Sequence, residues 1–483
     1  MIVDGHAPSF SSAAPPPGIR EVFDAQRVTS LRLRTSTPAQ RIARLKNLRD
    51  AFMARTQAWY EAGKADFGRP PGEMDLTELV PVVLEANEAI RKLRSWMRPR
   101  RIWPTVLLAG TTACINYEPR GRCLIISPWS NPLALTLGPL ISAIAAGNTA
   151  IVKPSESSPN MAAAIARLLG DVFPQDEVAV FEGGSETSTS LLQLPFDHIF
   201  FSGSPASGKV VMAAAAKHLA SVTLELGGKN PAIVDESADI ELAAQNILWA
   251  KYTNNGQTCT APDHVLVHDR VRAAFTKRCI EILERTYNLH DQQWACTQHL
   301  SRIVNSQHTE RLKALLDDAV RRGARIRYGG SMSVDTRFFA PTLVDQIPLQ
   351  ARINAEEIFG PILPIYGFSD LGDVIDRINH EPKPLAIYIY SNDKANIHDV
   401  LSSTSSGGAC VNHSVVQYLH GRLPFGGVNN SGIGSAHGRF GFRAFSHERP
   451  VVTTRISMLA RRFRPGEVPD SLRSYLRTLL KWI

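Results

Sequence analysis

Two short runs of this chain carry residue types that could work together on a carbonyl. Asn255-Gly256-Gln257-Thr258-Cys259 presents a thiol after small and polar residues, and upstream of it Leu224-Glu225-Leu226-Gly227-Gly228-Lys229 carries a carboxylate beside a glycine pair. A thiol attacks a carbonyl as the thiolate. A carboxylate within reach, directly or through one water, can take its proton or later activate a hydrolytic water. Gly256, Gln257 and Thr258 suit a turn that exposes the sulfur rather than a strand that buries it. An isolated cysteine more often fills a core, so the pairing of Cys259 as nucleophile with Glu225 as base depends on the residues around them.

Four further runs supply that company. Ser202-Gly203-Ser204-Pro205-Ala206-Ser207-Gly208 follows the apolar run His198-Ile199-Phe200-Phe201 and precedes an Ala-rich helix expected over 209–219. Free amides and the helix dipole favour phosphate at such a place, although the spacing matches neither the Rossmann fingerprint nor the P-loop, and a plain strand-to-helix turn reads equally well. Lys153-Pro154-Ser155-Glu156 follows Ala150-Ile151-Val152, at the carboxyl end of a strand where α/β folds place ligands. Glu156 there could accept from ribose hydroxyls and would repel a 2′-phosphate. Pro128-Trp129-Ser130-Asn131-Pro132 forms a rigid loop carrying an amide able to stabilise an oxyanion. In Glu356-Glu357-Ile358-Phe359-Gly360-Pro361, two adjacent carboxylates cannot share one face, so one points into a site and the other to solvent.

The elements that must hold these runs are legible in the pattern. Ser36-Thr37-Pro38 followed by Ile42, Leu45, Leu48 and Phe52 opens a helical region reaching about residue 100. From Arg122 short apolar runs alternate with helical ones, at 123–126, 137–146, 150–152, 160–169 and 178–180, as βαβ units of a parallel sheet do. A second α/β unit starts at Gly227, with strands at 231–234, 265–267 and 386–390. With 483 residues, two or three domains are expected. The composition, 44% apolar and 20% charged, is that of a globular enzyme. The 53 basic and 45 acidic side chains give +8, modest over this length, which argues against a nucleic-acid partner. The basic run Arg91–Arg101 reads as a solvated helix face. Cysteines at 114, 123, 259, 279, 296 and 410 show no paired spacing, so neither a disulfide framework nor a metal site is expected and a reducing, cytoplasmic location fits.

Together these residues resemble the aldehyde dehydrogenase superfamily, in order from about Tyr117 to Val452. Phe200-Phe201-Ser202-Gly203-Ser204 is similar to its cofactor turn, the run from Leu224 to Pro231 to its glutamate motif, Gly256-Gln257-Thr258-Cys259 to its nucleophile motif, and Glu357-Ile358-Phe359-Gly360-Pro361 to its ribose-contacting motif. Thr260-Ala261-Pro262-Asp263, Leu423–Gly434, His437-Gly438 and Phe445-Ser446-His447 resemble the branch of class 3, fatty-aldehyde and coniferyl-aldehyde enzymes. The resemblance implies NAD, with NADP also accommodated, oxidising an aldehyde through a Cys259 thiohemiacetal and thioester that Glu225 helps hydrolyse. It implies that Lys153 and Glu156 meet the adenosine ribose, Gly203 and Ser204 the pyrophosphate, Gly227 the close approach of the cofactor, and Glu357 and Phe359 the nicotinamide riboside. One position departs: Ser130 stands where the family has its oxyanion asparagine, and Asn131 follows it, leaving either as the donor. A CoA-acylating semialdehyde dehydrogenase and a catalytically weakened dinucleotide-binding or structural relative are the alternatives; retention of Glu225 argues for hydrolysis.

The implied α/β fold has two α/β domains with parallel sheets plus a small β oligomerisation extension. It divides the chain into residues 1–110 with 122–226 (helical region and dinucleotide-binding domain), 227–431 (catalytic domain), 111–121 with 432–460 (extension) and a tail over 461–483. The resemblance implies a homodimer. The tail carries Leu472, Tyr475, Leu476, Leu479, Leu480 and Ile483 opposite Arg473, Arg477 and Lys481, an amphipathic basic helix that would pack on protein, with membrane-surface contact as the alternative. The substrate approach is expected between the N-terminal helices and a polar and aromatic loop, Asn412 to His420.

Overall fold

The computed structural model describes residues 18–104, 108, 110–287, 299–454 and 470–480. Cys296, the first seventeen residues and most of the tail lie outside the described residues. Thr37 caps the helix Pro38–Met53 in a reciprocal arrangement with Gln40, with Pro38 in the first turn, as the sequence suggests. Helices Ile19–Arg34, Thr56–Phe67 and Val80–Trp96 complete the N-terminal region, and a π-helical turn, Asp75–Leu79, leads into the last of them.

A six-stranded sheet runs in the order Gly432–Ile433, Ser221–Leu226, His198–Gly203, Arg122–Ile126, Thr149–Lys153, Val178–Val180, parallel except at the 432–433 edge. Period-two alternation decides its faces. Cys123, Ile125, Ala150, Val152 and Phe200 enter one core with the helices Pro38–Met53, Thr56–Phe67 and Val80–Trp96, while Leu124, Ile126, Ile151, Ile199 and Phe201 enter the other with Ile19 and Phe23 of the first helix. The helix after His198–Gly203 begins at Pro205 rather than 209, because Ser204 caps it by accepting from the Ser207 amide and Pro205 fits the first turn.

The second sheet has seven strands in the order Arg325–Tyr328, Thr342–Asp345, Ile362–Phe368, His264–His268, Pro231–Val234, Ala386–Tyr390, Gly408–Val411, parallel except for the first. The chain passes from one sheet to the other at Gly227–Asn230. A third sheet joins Arg100–Ile102, Thr111–Pro119 and Ser446–Thr454, all antiparallel. Within the stretch 432–460, Gly432–Ile433 pairs with Leu224 and Glu225, the helix Gly438–Ala444 packs on Ala134–Ala146, and the long pairing with 111–119 starts at Ser446. Buried Phe442 and Phe445 draw that helix into the core of the six-stranded sheet. In the tail, Asp470–Leu479 is helical. No helix among the described residues is long and apolar enough to cross a membrane.

Candidate active site

The sequence-predicted residues gather where the carboxyl ends of the six-stranded sheet face the second sheet. Cys259 follows the helix Ile240–Tyr252 and a tight turn, Thr253–Gly256, in which Asn254, Asn255 and Gly256 all have positive φ. Gly256 has no substitute here: φ is +77°, and a Cβ would lie 2.3 Å from the Gly360 carbonyl oxygen. The nucleophile turn is thereby pressed against the loop carrying Glu357. Gln257 is buried rather than a polar neighbour in solvent; its amide donates to the Asn254 and Arg302 carbonyls, each at 3.0 Å, and its Oε1 accepts from the Val304 amide at 2.9 Å. Asn230, quoted in the glutamate motif but given no role by sequence reasoning, braces the turn from the other side. Its Nδ2 donates to the Cys259 carbonyl at 2.7 Å and that of Ala261 at 3.0 Å, and its Oδ1 accepts from Ala386 N at 2.9 Å.

Glu225 lies at the end of its strand, buried, with Oε2 accepting from Ser202 Oγ at 3.0 Å. Burial pushes its carboxyl up to about 7, against the pull of His437 and Ser202. Burial works against charge on His437 as well, but Glu85, 3.5 Å away, and Glu225 outweigh it and raise its pKa. Burial drives the Cys259 thiol well above its ordinary range, with Glu225 and Glu357 adding to the shift. Cys259 thus rests as the thiol, and a thiolate there requires that its proton be taken.

Of the adjacent carboxylates, Glu356 pairs with Arg352 at 2.8 Å toward solvent, while Glu357 turns inward. Glu357 Oε1 accepts from Gly228 N at 3.1 Å, and burial together with Asp263 pushes this carboxyl up to about 7. Gly227 makes its place: a Cβ there would sit 2.3 Å from Glu357 Oε2. Lys229 and Asp263, 2.5 Å apart, tie the glycine pair to this loop, since Asp263 also accepts from Ile358 N at 2.9 Å and Lys229 donates to the Glu356 carbonyl at 3.0 Å. Phe359 is a non-glycine residue at φ 48°, its ring edge-on to Trp129 at 5.3 Å. Lys153, buried, donates to half-exposed Glu156 at 2.5 Å. Gly203 and Ser204 lie at the N-terminus of the twelve-residue helix Pro205–Ala216.

Cys259 opens into a cleft whose lining includes Leu76, Asn131, Trp249, Val415, Tyr418 and Leu419. Asn131 is among the lining residues and Ser130 is not; the Ser130 carbonyl instead accepts from Arg69 and from Asn254, each at 2.8 Å. The N-terminal helical region and the 415–419 segment supply the wall as expected, but Asn412 and His413 do not line it. The Asn412 amide is occupied by the backbone of Ser391, and His413 bonds to Ser414. The wall is consequently more apolar than the sequence suggests.

A profile of the aldehyde dehydrogenase family matches residues 13–451. The chain is 40% identical to the 4,4′-diaponeurosporen-aldehyde dehydrogenase of Staphylococcus aureus, over 84% of this chain and 88% of that protein. It is also 40% identical to human aldehyde dehydrogenase family 3 member B1, over 89% of each. The solved structure described as the substrate-bound state of Staphylococcus aureus AldH superposes with a TM-score of 0.90 at 36% identity, covering 96% of this chain and 99% of that one. A thiol whose proton must be removed, buried carboxylates acting on it, an apolar cleft at its mouth and a shared fold lead to one conclusion: the chain belongs to the aldehyde dehydrogenase family and is an enzyme that oxidises an aldehyde with NAD(P).

Proposed function

We propose that Cys259 is the nucleophile, Glu225 the base and Asn131 the oxyanion donor of this oxidation. The observation that carries the reading is the convergence of Cys259 and Asn131 on one cleft, with Glu225 and Glu357 acting electrostatically on the thiol. Glu225 takes the thiol proton as sulfur attacks the aldehyde. The Asn131 side-chain amide, with the Cys259 backbone amide, meets the oxygen on which charge develops. The thiohemiacetal becomes a thioester as hydride leaves; Glu225 passes the thiol proton on to solvent and, ionised again, takes a proton from the water whose attack releases the acid and returns the thiolate.

The residues present fit a dinucleotide. The capped helix at Ser204 offers its N-terminus to phosphate, and Glu357 is a buried carboxylate held by one amide over the space Gly227 leaves open. Lys153 and Glu156 would hold the adenosine ribose, Gly203 and Ser204 the pyrophosphate, and Glu357 and Phe359 the nicotinamide riboside beside Gly227. Bound there, NAD(P) supplies the acceptor for the hydride. Glu156 favours NAD over NADP, because a 2′-phosphate would meet its carboxylate. The lining of the cleft suits apolar aldehydes, aromatic or aliphatic. The three-stranded sheet, whose outer strand Ser446–Thr454 leaves Val452 exposed, serves to join two copies as a homodimer, and the five described cysteines, all free, fit a cytoplasmic enzyme.

Rapid mixing with NAD and aldehyde tests the assignment. Glu225→Gln, which can neither take the thiol proton nor activate the water, is expected to slow both the first formation of NADH and the release of acid, whereas Cys259→Ala forms no NADH. Continued NADH formation by Cys259→Ala, or full turnover by Glu225→Gln, overturns the proposed roles.

A further inference from the structure

We infer that Arg69 and Glu78 are positioning residues for the oxyanion donor: a buried ion pair that fixes the loop 127–133 on both sides of Asn131. The inference rests on the reading of Asn131 as that donor. Arg69 follows the glycine cap of the helix Thr56–Phe67, and its side chain is wholly buried. One arm of its guanidinium donates to Glu78 Oε1 at 2.8 Å and the other to the Ser130 carbonyl at 2.8 Å. The second oxygen of Glu78 accepts from the Leu133 and Ala134 amides, at 3.0 and 2.9 Å, which are unpaired donors at the start of the helix Ala134–Ala146. The residue before Asn131 and the two that follow Pro132 are thus tied to one ion pair. Asn254 adds a link to the nucleophile turn, donating from one amide to the Ser130 carbonyl at 2.8 Å and the Gln257 carbonyl at 2.9 Å.

The element that delivers Glu78 belongs to the cleft as well. Glu78 lies in the π-helical turn Asp75–Leu79, and Leu76 and Thr77 of the same turn line the space in front of Cys259. A π-turn carries an extra residue, which rotates its side chains relative to an α-helix, and such turns concentrate at functional sites. Stability alone does not account for the pair, since well-packed apolar residues often replace buried ion pairs at no cost. What an apolar pair cannot reproduce is the two-armed grip. Lysine cannot either: an ammonium is a point charge without the planar fork that bridges a carboxylate and a carbonyl in fixed directions.

The test is a double-mutant cycle read in a single turnover. Arg69→Lys is expected to slow NADH formation in the first turnover about tenfold, and Asn131→Ala about a hundredfold, the usual scale for losing an oxyanion donor. In the double variant, Arg69→Lys should add less than about twofold, because it acts through the group already removed. Affinity for NADH and the aldehyde KM should stay within about twofold of the parent in Arg69→Lys, which a general loosening of the fold would not allow. Glu78→Gln gives the same pattern by an independent route should the arginine variant fold poorly. Multiplicative losses in the double variant, or a fall in NADH affinity matching the fall in rate, overturn the inference while leaving Asn131 as donor. An unchanged first turnover in Asn131→Ala overturns the donor assignment itself.

Discussion

Glu225, proposed as the base, is a carboxyl whose ionised form burial disfavours. Burial raises its carboxyl from 4.5 to about 7, so the folded chain binds that proton more tightly than the unfolded chain does. Its contribution to stability is then fully present below about 4.5 and is lost as pH rises through about 7. Glu225→Gln removes the ionisation. The variant should match the parent near pH 4.5 and become the more stable protein by about pH 8, by roughly 3 kcal/mol. Denaturant midpoints of both proteins across that range measure it, and a difference that does not grow with pH refutes it. The same pKa bears on turnover: the thioester-hydrolysing step should accelerate as pH rises through about 7 in the parent. Residues of this kind can be proposed from the sequence because the motifs that carry them are intact. Ser130-Asn131 left two candidates, since adjacent side chains in an irregular loop can each face the site, and the proposal of Asn131 rests on its place in the lining of the cleft.

At the scale of elements, the nucleophile turn is where local geometry matters most. Gly256→Ala forces a Cβ into a left-handed residue and against the Gly360 carbonyl, so the turn must move away from the Glu357 loop. The expected outcome is a loss of roughly 2 kcal/mol or more of stability and at least a tenfold fall in kcat. Calorimetry and steady-state rates would check both, and a variant with parental values would show that the close approach does not matter. The strands of both sheets were legible because they are short apolar runs bounded by turns, and the helix at Pro38 because its cap and its period agree. The start of the helix at Pro205 was missed: a serine followed by proline signals a helix start, but the glycine-containing stretch that follows masks it. The π-turn at Asp75–Leu79 left no trace in the pattern. Its one extra residue disturbs the helical period only locally, and its purpose becomes visible only with Glu78 seen against the Ala134 helix. The route to the cleft was half legible: Tyr418 lines it, while Asn412, equally polar and nearby in sequence, spends its amide on a turn with Ser391.

For the whole molecule, the long antiparallel pairing of Thr111–Pro119 with Ser446–Thr454 leaves the latter as an edge strand among the described residues, with Val452 58% exposed. If that edge joins two copies, Val452→Asp should shift the protein from dimer to monomer in sedimentation analysis. An unaltered dimer would place the interface elsewhere, and a monomeric parent would remove the dimer from the description altogether. The six-stranded sheet has a different edge, and that one is closed from within: Gly432 pairs with Glu225, and the Leu226 amide donates to the Ser431 carbonyl at 3.0 Å. During synthesis, Cys259, Asn131 and Glu225 all leave the ribosome long before Ser431 and Gly432 do. The strand carrying Glu225 therefore spends a large part of translation as an open edge, and the growing chain contains Cys259, Asn131 and Glu225 before it can hold them in register. Competence for aldehyde chemistry arrives late, with a short stretch of backbone that contributes no reacting atom.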